Sequence, residues 1–264
     1  MSLFESLFLG ALQGITEFLP VSSSGHLVVM KNLMDLQEIP VLFDVILHVA
    51  TLLVVVLVFR KRIGELFSAL IRFVLGRKRE EDRDSLRLIV TILIATAITA
   101  VIGFAVSSLE VERHPKIVSS LFIVTGIILL IARKERGSLE YGQIGIKQAV
   151  VTGAAQGLGV FPGISRSGIT ISGSLLSGMS RERAGEYSFI LSIPAILGAL
   201  ILELKDLETL SGLTSPLVLT AGAASAFLVG LFSLLLLLKL VKRGKLYFFS
   251  FYLIPFGLVG LFFF

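Results

Sequence analysis

Long apolar blocks separated by short charged stretches dominate the chain. Blocks at 41–59, 87–108, 117–132, 184–203, 216–239 and 246–264 are built mainly from Leu, Val, Ile, Phe and Ala. About 20 apolar residues in a helix cross the roughly 30 Å hydrocarbon core of a bilayer, so these six blocks predict membrane-spanning helices. Barrel strands would instead alternate apolar and polar residues over short segments. Two further blocks, 3–36 and 146–180, are interrupted. The first breaks at Leu19-Pro20-Val21-Ser22-Ser23-Ser24-Gly25-His26, the second at Phe161-Pro162-Gly163-Ile164-Ser165-Arg166-Ser167-Gly168. Proline stops a helix and serine caps the next one. Each arm is short for a full crossing, so both blocks predict re-entrant helical hairpins. Irregular backbone at that depth survives only inside protein or beside water.

The two interrupted blocks read as one repeat. At an offset of 143, Gln13-Gly14-Ile15 falls on Gln156-Gly157-Leu158, Ser22 on Ser165, Ser24 on Ser167 and Gly25 on Gly168. The expected fold is therefore an all-α integral membrane domain over 1–264. It holds six transmembrane helices and two re-entrant hairpins, in repeats 1–132 and 146–264 joined by a basic loop, 133–145. Three spanning helices separate the hairpins, which makes the repeat an inverted one with its breaks meeting near the midplane.

Composition agrees, with 55% hydrophobic and 16% charged residues. The net charge of +5 does not call for nucleic acid. Segments 60–87, 133–147, 181–183 and 239–245 hold 19 of the 24 Lys and Arg residues, and all fall on one predicted face. The opposite face has Lys31, Arg113, Lys116 and Lys205. The positive-inside bias makes the basic face cytoplasmic and puts both termini outside, in a multi-pass plasma (inner) membrane protein. The mixed-charge run 77–87 reads as a solvated loop. The stretch 63–75 has the spacing of a helix lying along the interface. The chain has no Cys, so no disulfide or thiolate metal site exists. Residues 1–12 carry Glu5 but no Lys or Arg, unlike a removable signal peptide.

Ionisable groups inside apolar blocks are costly and point to function. Glu17 is one, and Gln13 lies one turn earlier on the same helix face. Together they can contribute to a divalent-cation site that phosphate oxygens and water complete. His26, after the first break, can move a proton or attack phosphorus. Ser22, Ser23 and Ser24 can cap the following half-helix. Arg166 is a permanent cation that needs an anion. Beside it, Gly163, Ser165, Ser167, Gly168 and Thr170 supply hydroxyls and free amides, the components of a phosphate cradle. A structural Arg166–Glu17 ion pair is the plainer alternative. Asp44 and His48 share a helix face and can line the same cavity. His114, Glu186 and Glu203 sit near helix ends, where charge reaches water cheaply.

The first motif, from Gln13 through Glu17 and Pro20 to Gly25-His26, resembles the first signature of the undecaprenyl-pyrophosphate phosphatases, the bacitracin-resistance type. Pro162-Gly163-Ile164-Ser165-Arg166-Ser167-Gly168-Ile169-Thr170 resembles the second, and Phe43-Asp44-Val45 also fits. The resemblance implies hydrolysis of the terminal phosphate of a C55 polyprenyl pyrophosphate to the monophosphate, which returns the lipid carrier to cell-wall synthesis. It implies a site open to the external face and a divalent cation, Mg²⁺ or Ca²⁺. The expected catalytic residues are Glu17, His26, Ser23 and Arg166, with Glu17 as cation ligand or base, His26 or Ser23 as nucleophile or acid–base partner, and both a phospho-enzyme and direct attack by water open. Arg166, Ser165, Ser167, Thr170 and Ser22 would bind phosphate, and Glu17 with Gln13 would hold the cation. Expected partners are the lipid and the membrane, and assembly as a homo-oligomer is left open. The competing class is a polyprenyl-phosphate flippase built on the same inverted repeat. A membrane scaffold would leave the buried Arg and Glu unexplained.

Overall fold

The computed structural model describes residues 1–36, 38–77, 79–134, 137–204 and 214–263. Lys205, assigned above to the less basic face, lies outside them. Among the described residues the named elements are all helical, with one isolated bridge between Leu139 and Met179. The chain opens with α1 (Leu3–Phe18), started by a reciprocal cap. The Ser2 amide donates to Glu5 Oε2 at 2.7 Å, and the Glu5 amide donates to Ser2 Oγ at 3.3 Å. After the first break come α2 (Ser23–Leu33), α3 (Val41–Val58), α4 (Arg60–Val74), α5 (Arg83–Ser107) and α6 (Pro115–Ala132). The second interrupted block forms α7 (Ile146–Leu158) and α8 (Arg166–Leu176). Then follow α9 (Arg181–Glu203), α10 (Pro216–Lys242), a 3₁₀ turn (Leu246–Phe249) and α11 (Ser250–Phe263).

Six segments are long and apolar enough to cross a bilayer: α3, α5, α6, α9, α10 and the last helical segment, Leu246–Phe263. These are the six blocks expected, and the protein is a multi-pass membrane protein. The boundaries differ where charge meets the helix end. α5 begins at Arg83 and α9 at Arg181, each several residues before its apolar block, and α10 continues to Lys242. Charged side chains carry a helix past its apolar stretch into water, and Ser180 Oγ caps α9 by accepting from the Arg183 amide. Large apolar side chains such as Phe104 (78% exposed) and Phe232 (75%) point outward, as helices in lipid require. Stretch 63–75 falls on α4, with Phe67, Ile71 and Val74 exposed. Arg72 on α4 pairs with Asp82, which holds that carboxyl below its ordinary range.

Small residues bring the site helices together. α1 crosses α10 so closely that a Cβ on Gly10 would lie 2.1 Å from the Gly222 carbonyl oxygen. One on Gly14 would lie 2.7 Å from that of Ala226. α7 meets α5 the same way, through Gly153 on Ala95 and Gly157 on Ile102. Without a hydrophobic force between helices in lipid, such contacts and interhelical hydrogen bonds carry the packing. Ser6 Oγ donates to the Val218 carbonyl at 2.7 Å, and Thr99 Oγ1 to the Gly153 carbonyl at 3.0 Å.

Candidate active site

Both interrupted blocks fold locally as the capping chemistry dictates. Ser22 precedes α2 and accepts from the Gly25 amide, while Ser165 precedes α8 and accepts from the Gly168 amide at 3.1 Å. The breaks then lock onto each other. The Gly163 amide donates to Ser22 Oγ at 3.0 Å, and Ser167 Oγ donates to the Phe18 carbonyl at 3.0 Å. Gly25 is required here, since a Cβ on it would meet the Gly163 nitrogen at 2.8 Å and the Phe122 ring at 2.6 Å. Gly163 itself sits at φ +97, open to glycine at no steric cost. Ser22 sits at φ +68, which is strained for a non-glycine residue and is held by its two bonds. Thr125 of α6 completes the lock, accepting from the Ser165 amide and donating to the Gly163 carbonyl, each at 3.1 Å.

This interlock puts Arg166 beside Glu17. The Arg166 guanidinium donates to Glu17 Oε1. The other carboxylate oxygen, Oε2, accepts from Ser23 Oγ at 2.6 Å and from Gln13 Nε2 at 3.0 Å. His48 Nε2 lies 3.2 Å from the same oxygen. The carboxylate is only 4% exposed, and protein groups surround both of its oxygens. The His48 ring is fixed by its other nitrogen, since Nδ1 lies 2.8 Å from the Asp44 carbonyl and must carry a hydrogen to bond there.

A cavity of about 210 Å³ opens on this cluster. Its polar lining includes Glu17, Ser23, Ser24, His48, Ser165 and Arg166, and its apolar lining includes Val45, Val160, Ile164 and Ile196. The expected residues divide accordingly. Glu17, Ser23, Ser165 and Arg166 face the cavity. Ser22 and Ser167 do not line it, and their hydroxyls are bonded within the interlock. Thr170, one turn along α8, is fully buried and does not line the cavity; it donates to the Arg166 carbonyl at 2.7 Å and touches Ser188. His26 also stands off the cavity. Its Nδ1 lies 2.8 Å from the Ser22 carbonyl, its Nε2 lies 2.7 Å from the Tyr252 hydroxyl, and its ring stacks on Phe256. Asp44 bonds Lys31 at 3.2 Å and does not line the cavity, whereas His48 reaches it.

Gln13 is fully buried, and its Oε1 has no hydrogen-bond partner. Gln13 does not line the cavity, and it is its Nε2 that faces the carboxylate, but an unpartnered amide oxygen on the residue bonded to Glu17 has the chemistry of a hard-cation ligand. Among the described residues no group of three or more His, Cys, Asp or Glu side chains forms a complete metal site. The protein would therefore supply part of the shell. Gln156, which falls on Gln13 at the offset of 143, lines the cavity, and its Oε1 is likewise buried and unpartnered. Sequence reasoning noted the match of these glutamines but not their shared orphan oxygens. It also missed Tyr252 and Thr125, ordinary residues within apolar blocks that carry no charge to flag them.

The chain is similar to known proteins along nearly its whole length. It is 50% identical over 258 residues to an undecaprenyl-diphosphatase of Treponema denticola, covering 98% of this chain and 96% of that one. An undecaprenyl-diphosphatase of Borrelia hermsii is 44% identical over 248 residues, covering 94% of each chain. One of Desulforapulum autotrophicum is 41% identical over 272 aligned positions, covering 99% of this chain and 98% of that one. The family profile described as Bacitracin resistance protein BacA matches residues 6–259, and the chain belongs to that family.

Proposed function

We propose that this protein hydrolyses undecaprenyl pyrophosphate to undecaprenyl phosphate and inorganic phosphate, returning the lipid carrier to cell-wall synthesis. One observation carries the reading: Arg166 and Ser23, from different halves of the chain, converge on the buried carboxylate of Glu17 in the lining of a cavity. The cavity is lined by both charged and apolar side chains, which suits a diphosphate carried on a hydrocarbon tail. The names of the relatives support the substrate and the reaction. They give no support to the flippase reading.

In the mechanism we favour, Arg166 turns from Glu17 to the diphosphate, where a guanidinium neutralises the charge that phosphoryl transfer must stabilise. That exchange frees Glu17 to take the proton of Ser23 Oγ. The oxygen attacks the terminal phosphorus, the anhydride P–O bond breaks, and undecaprenyl phosphate leaves. Water then attacks the phosphoserine, the P–Oγ bond breaks, Glu17 returns its proton to Ser23 Oγ, and the protons of the water leave with inorganic phosphate. With Nδ1–H committed to the Asp44 carbonyl, His48 Nε2 donates to the carboxylate only when the ring carries both protons, and in that form it steadies Glu17. His26 holds the first break in shape through Ser22. Ser22, Ser167 and Thr170 support the phosphate cradle through the backbone they fix, and Ser165 faces the ligand. Glu17 and Gln13 Oε1 would hold Mg²⁺ or Ca²⁺, which supplies further charge neutralisation on the pyrophosphate oxygens.

The same reading places both hairpins as re-entrant elements of an inverted repeat. α1 has 16 residues and α2, α7 and α8 have 11, 13 and 11. At 1.5 Å per residue these arms reach about 16–24 Å, short of a bilayer core. The exchanged packing of α1 on α10 and α7 on α5 is what a two-fold axis in the membrane plane would produce. The basic loops then face the cytoplasm of a plasma (inner) membrane and the cavity opens outward.

Purified protein in detergent should release phosphate from undecaprenyl or farnesyl pyrophosphate. Arg166→Ala, Glu17→Ala and Ser23→Ala should each lose about 10²-fold or more, in line with the loss of a charge-stabilising or reacting group. Wild-type protein that binds the lipid but releases no phosphate across divalent metals and pH would overturn the reading.

A further inference from the structure

Far from Glu17, at the end that carries the basic loops, a second concavity of about 560 Å³ is lined by Arg133, Lys134, Arg181 and Tyr247. Three separate segments build it. Arg133 caps the C-terminal end of α6, Arg181 opens α9, and Tyr247 lies in the 3₁₀ turn before α11. The Arg181 guanidinium lies against the backbone of Gly244, where an added Cβ would sit 2.5 Å from Cζ. Gly244 has φ +66 and ends α10 by paired bonds. Its amide donates to the Val241 carbonyl, and the Lys245 amide donates to that of Leu240, both at 2.9 Å. The glycine that stops the helix also makes room for the cation.

Several basic side chains on this face have a carboxylate partner: Arg72 has Asp82, Arg183 has Glu140 and Glu186, and Lys242 has Glu182. Arg133, Lys134 and Arg181 form no ion pair among the described residues and share one space. Gathered like charges repel, and an anion among them relieves the repulsion. Two guanidiniums and an ammonium suit phosphate oxygens. The surroundings choose the source of that phosphate. The Tyr247 ring lies 4.6 Å from that of Phe248 and 6.4 Å from that of Phe251, and these two are 48% and 67% exposed. Exposed aromatic rings beside cations at helix ends mark the bilayer interface, where lipid headgroups lie.

We propose that this basic cradle binds the phosphodiester headgroup of an anionic glycerophospholipid, in the leaflet facing the basic loops and apart from the reaction cavity. Basic pockets between helices at this level take such headgroups. Native mass spectrometry of the purified full-length protein tests it, with dioleoyl phosphatidylglycerol as probe and dioleoyl phosphatidylcholine as the neutral comparison. Wild type should retain the anionic lipid about tenfold better or more, as three cations at an interface imply. Arg133→Ala/Lys134→Ala/Arg181→Ala should lose that preference while keeping wild-type phosphate release. Lys134→Ala alone removes an exposed side chain and should lower retention several-fold, so the test stands even if the triple variant does not fold. Equal retention of the two lipids by wild type, or undiminished preference in Lys134→Ala, overturns the proposal. So does displacement of the lipid by millimolar inorganic phosphate, which would mark a soluble-anion site. Retention needs no turnover, so a failure of phosphate release would count against the reaction alone.

Discussion

Glu17 is held from four sides, by Arg166, Ser23, Gln13 and His48. Removing either member of the Arg166–Glu17 pair leaves the other charge without its counter-charge, at a cost of up to about 3–5 kcal/mol. Glu17→Gln with Arg166→Met should therefore cost clearly less in melting temperature than the two single changes added together. Thermal unfolding of the four proteins in one detergent gives that comparison. His26 calls for a different prediction, because its ring serves the first break and lies away from the cavity. Tyr252→Phe removes only the hydroxyl at Nε2 and should keep phosphate release within several-fold. His26→Ala also removes the bond to Ser22 and the stack on Phe256, and should lose both activity and melting temperature. A large loss in Tyr252→Phe would instead show that the imidazole exchanges protons through that hydroxyl. Glu17 and Arg166 were legible in the sequence because a charge inside an apolar block has few bland explanations. The partner of His26 was not, since Tyr252 lies 226 positions away in a block that reads simply as lipid-spanning.

At the scale of elements, hydrophobic blocks and breaks were legible because lipid enforces long apolar helices and excludes loose backbone. Helix ends were less so, since Ser caps and charged turns extend helices beyond the apolar window. The glycine contacts were the least visible. Gly10 and Gly14, four apart, mark one face of α1, but only the structure names Gly222 and Ala226 as what they meet. That contact fixes the depth and rotation of the helix that presents Glu17. Gly14→Val should push α1 from α10 and reduce phosphate release far more than it reduces expression. Gly64 on α4 is the control, because an added Cβ there meets nothing within 4 Å. Gly64→Ala should leave activity unchanged and stabilise by about 0.5–1 kcal/mol, the usual gain of alanine over glycine inside a helix. Similar behaviour of the two variants would mean that the α1–α10 approach does not position the site.

For the whole molecule, the interlock of the two breaks decides more than the count of spanning helices. Three spans, α3, α5 and α6, lie between the interrupted blocks, so hairpins that crossed the bilayer completely would put their breaks on opposite faces, about 30 Å apart. Instead the Gly163 amide bonds Ser22 Oγ at 3.0 Å, which holds the two breaks against each other and is what the proposed re-entrant hairpins require. Ser24 and Val160 line one cavity, one from each interrupted block. The chain has no native cysteine, so single-cysteine labelling is free of background. Lys61→Cys should react with an impermeant thiol reagent only from the cytoplasmic side, and Ser215→Cys only from outside. Ser24→Cys and Val160→Cys should both react from outside, and substrate analogue should protect both. Labelling of those two from opposite sides would separate the breaks and dissolve the shared site. Labelling of both from the cytoplasm would keep the site but turn the cavity to the other face. On the proposed function the arrangement has a simple physical origin: a lipid diphosphate would stay in the bilayer, and the groups proposed to neutralise it, Arg166 and the Glu17 cluster, come from both halves of the chain.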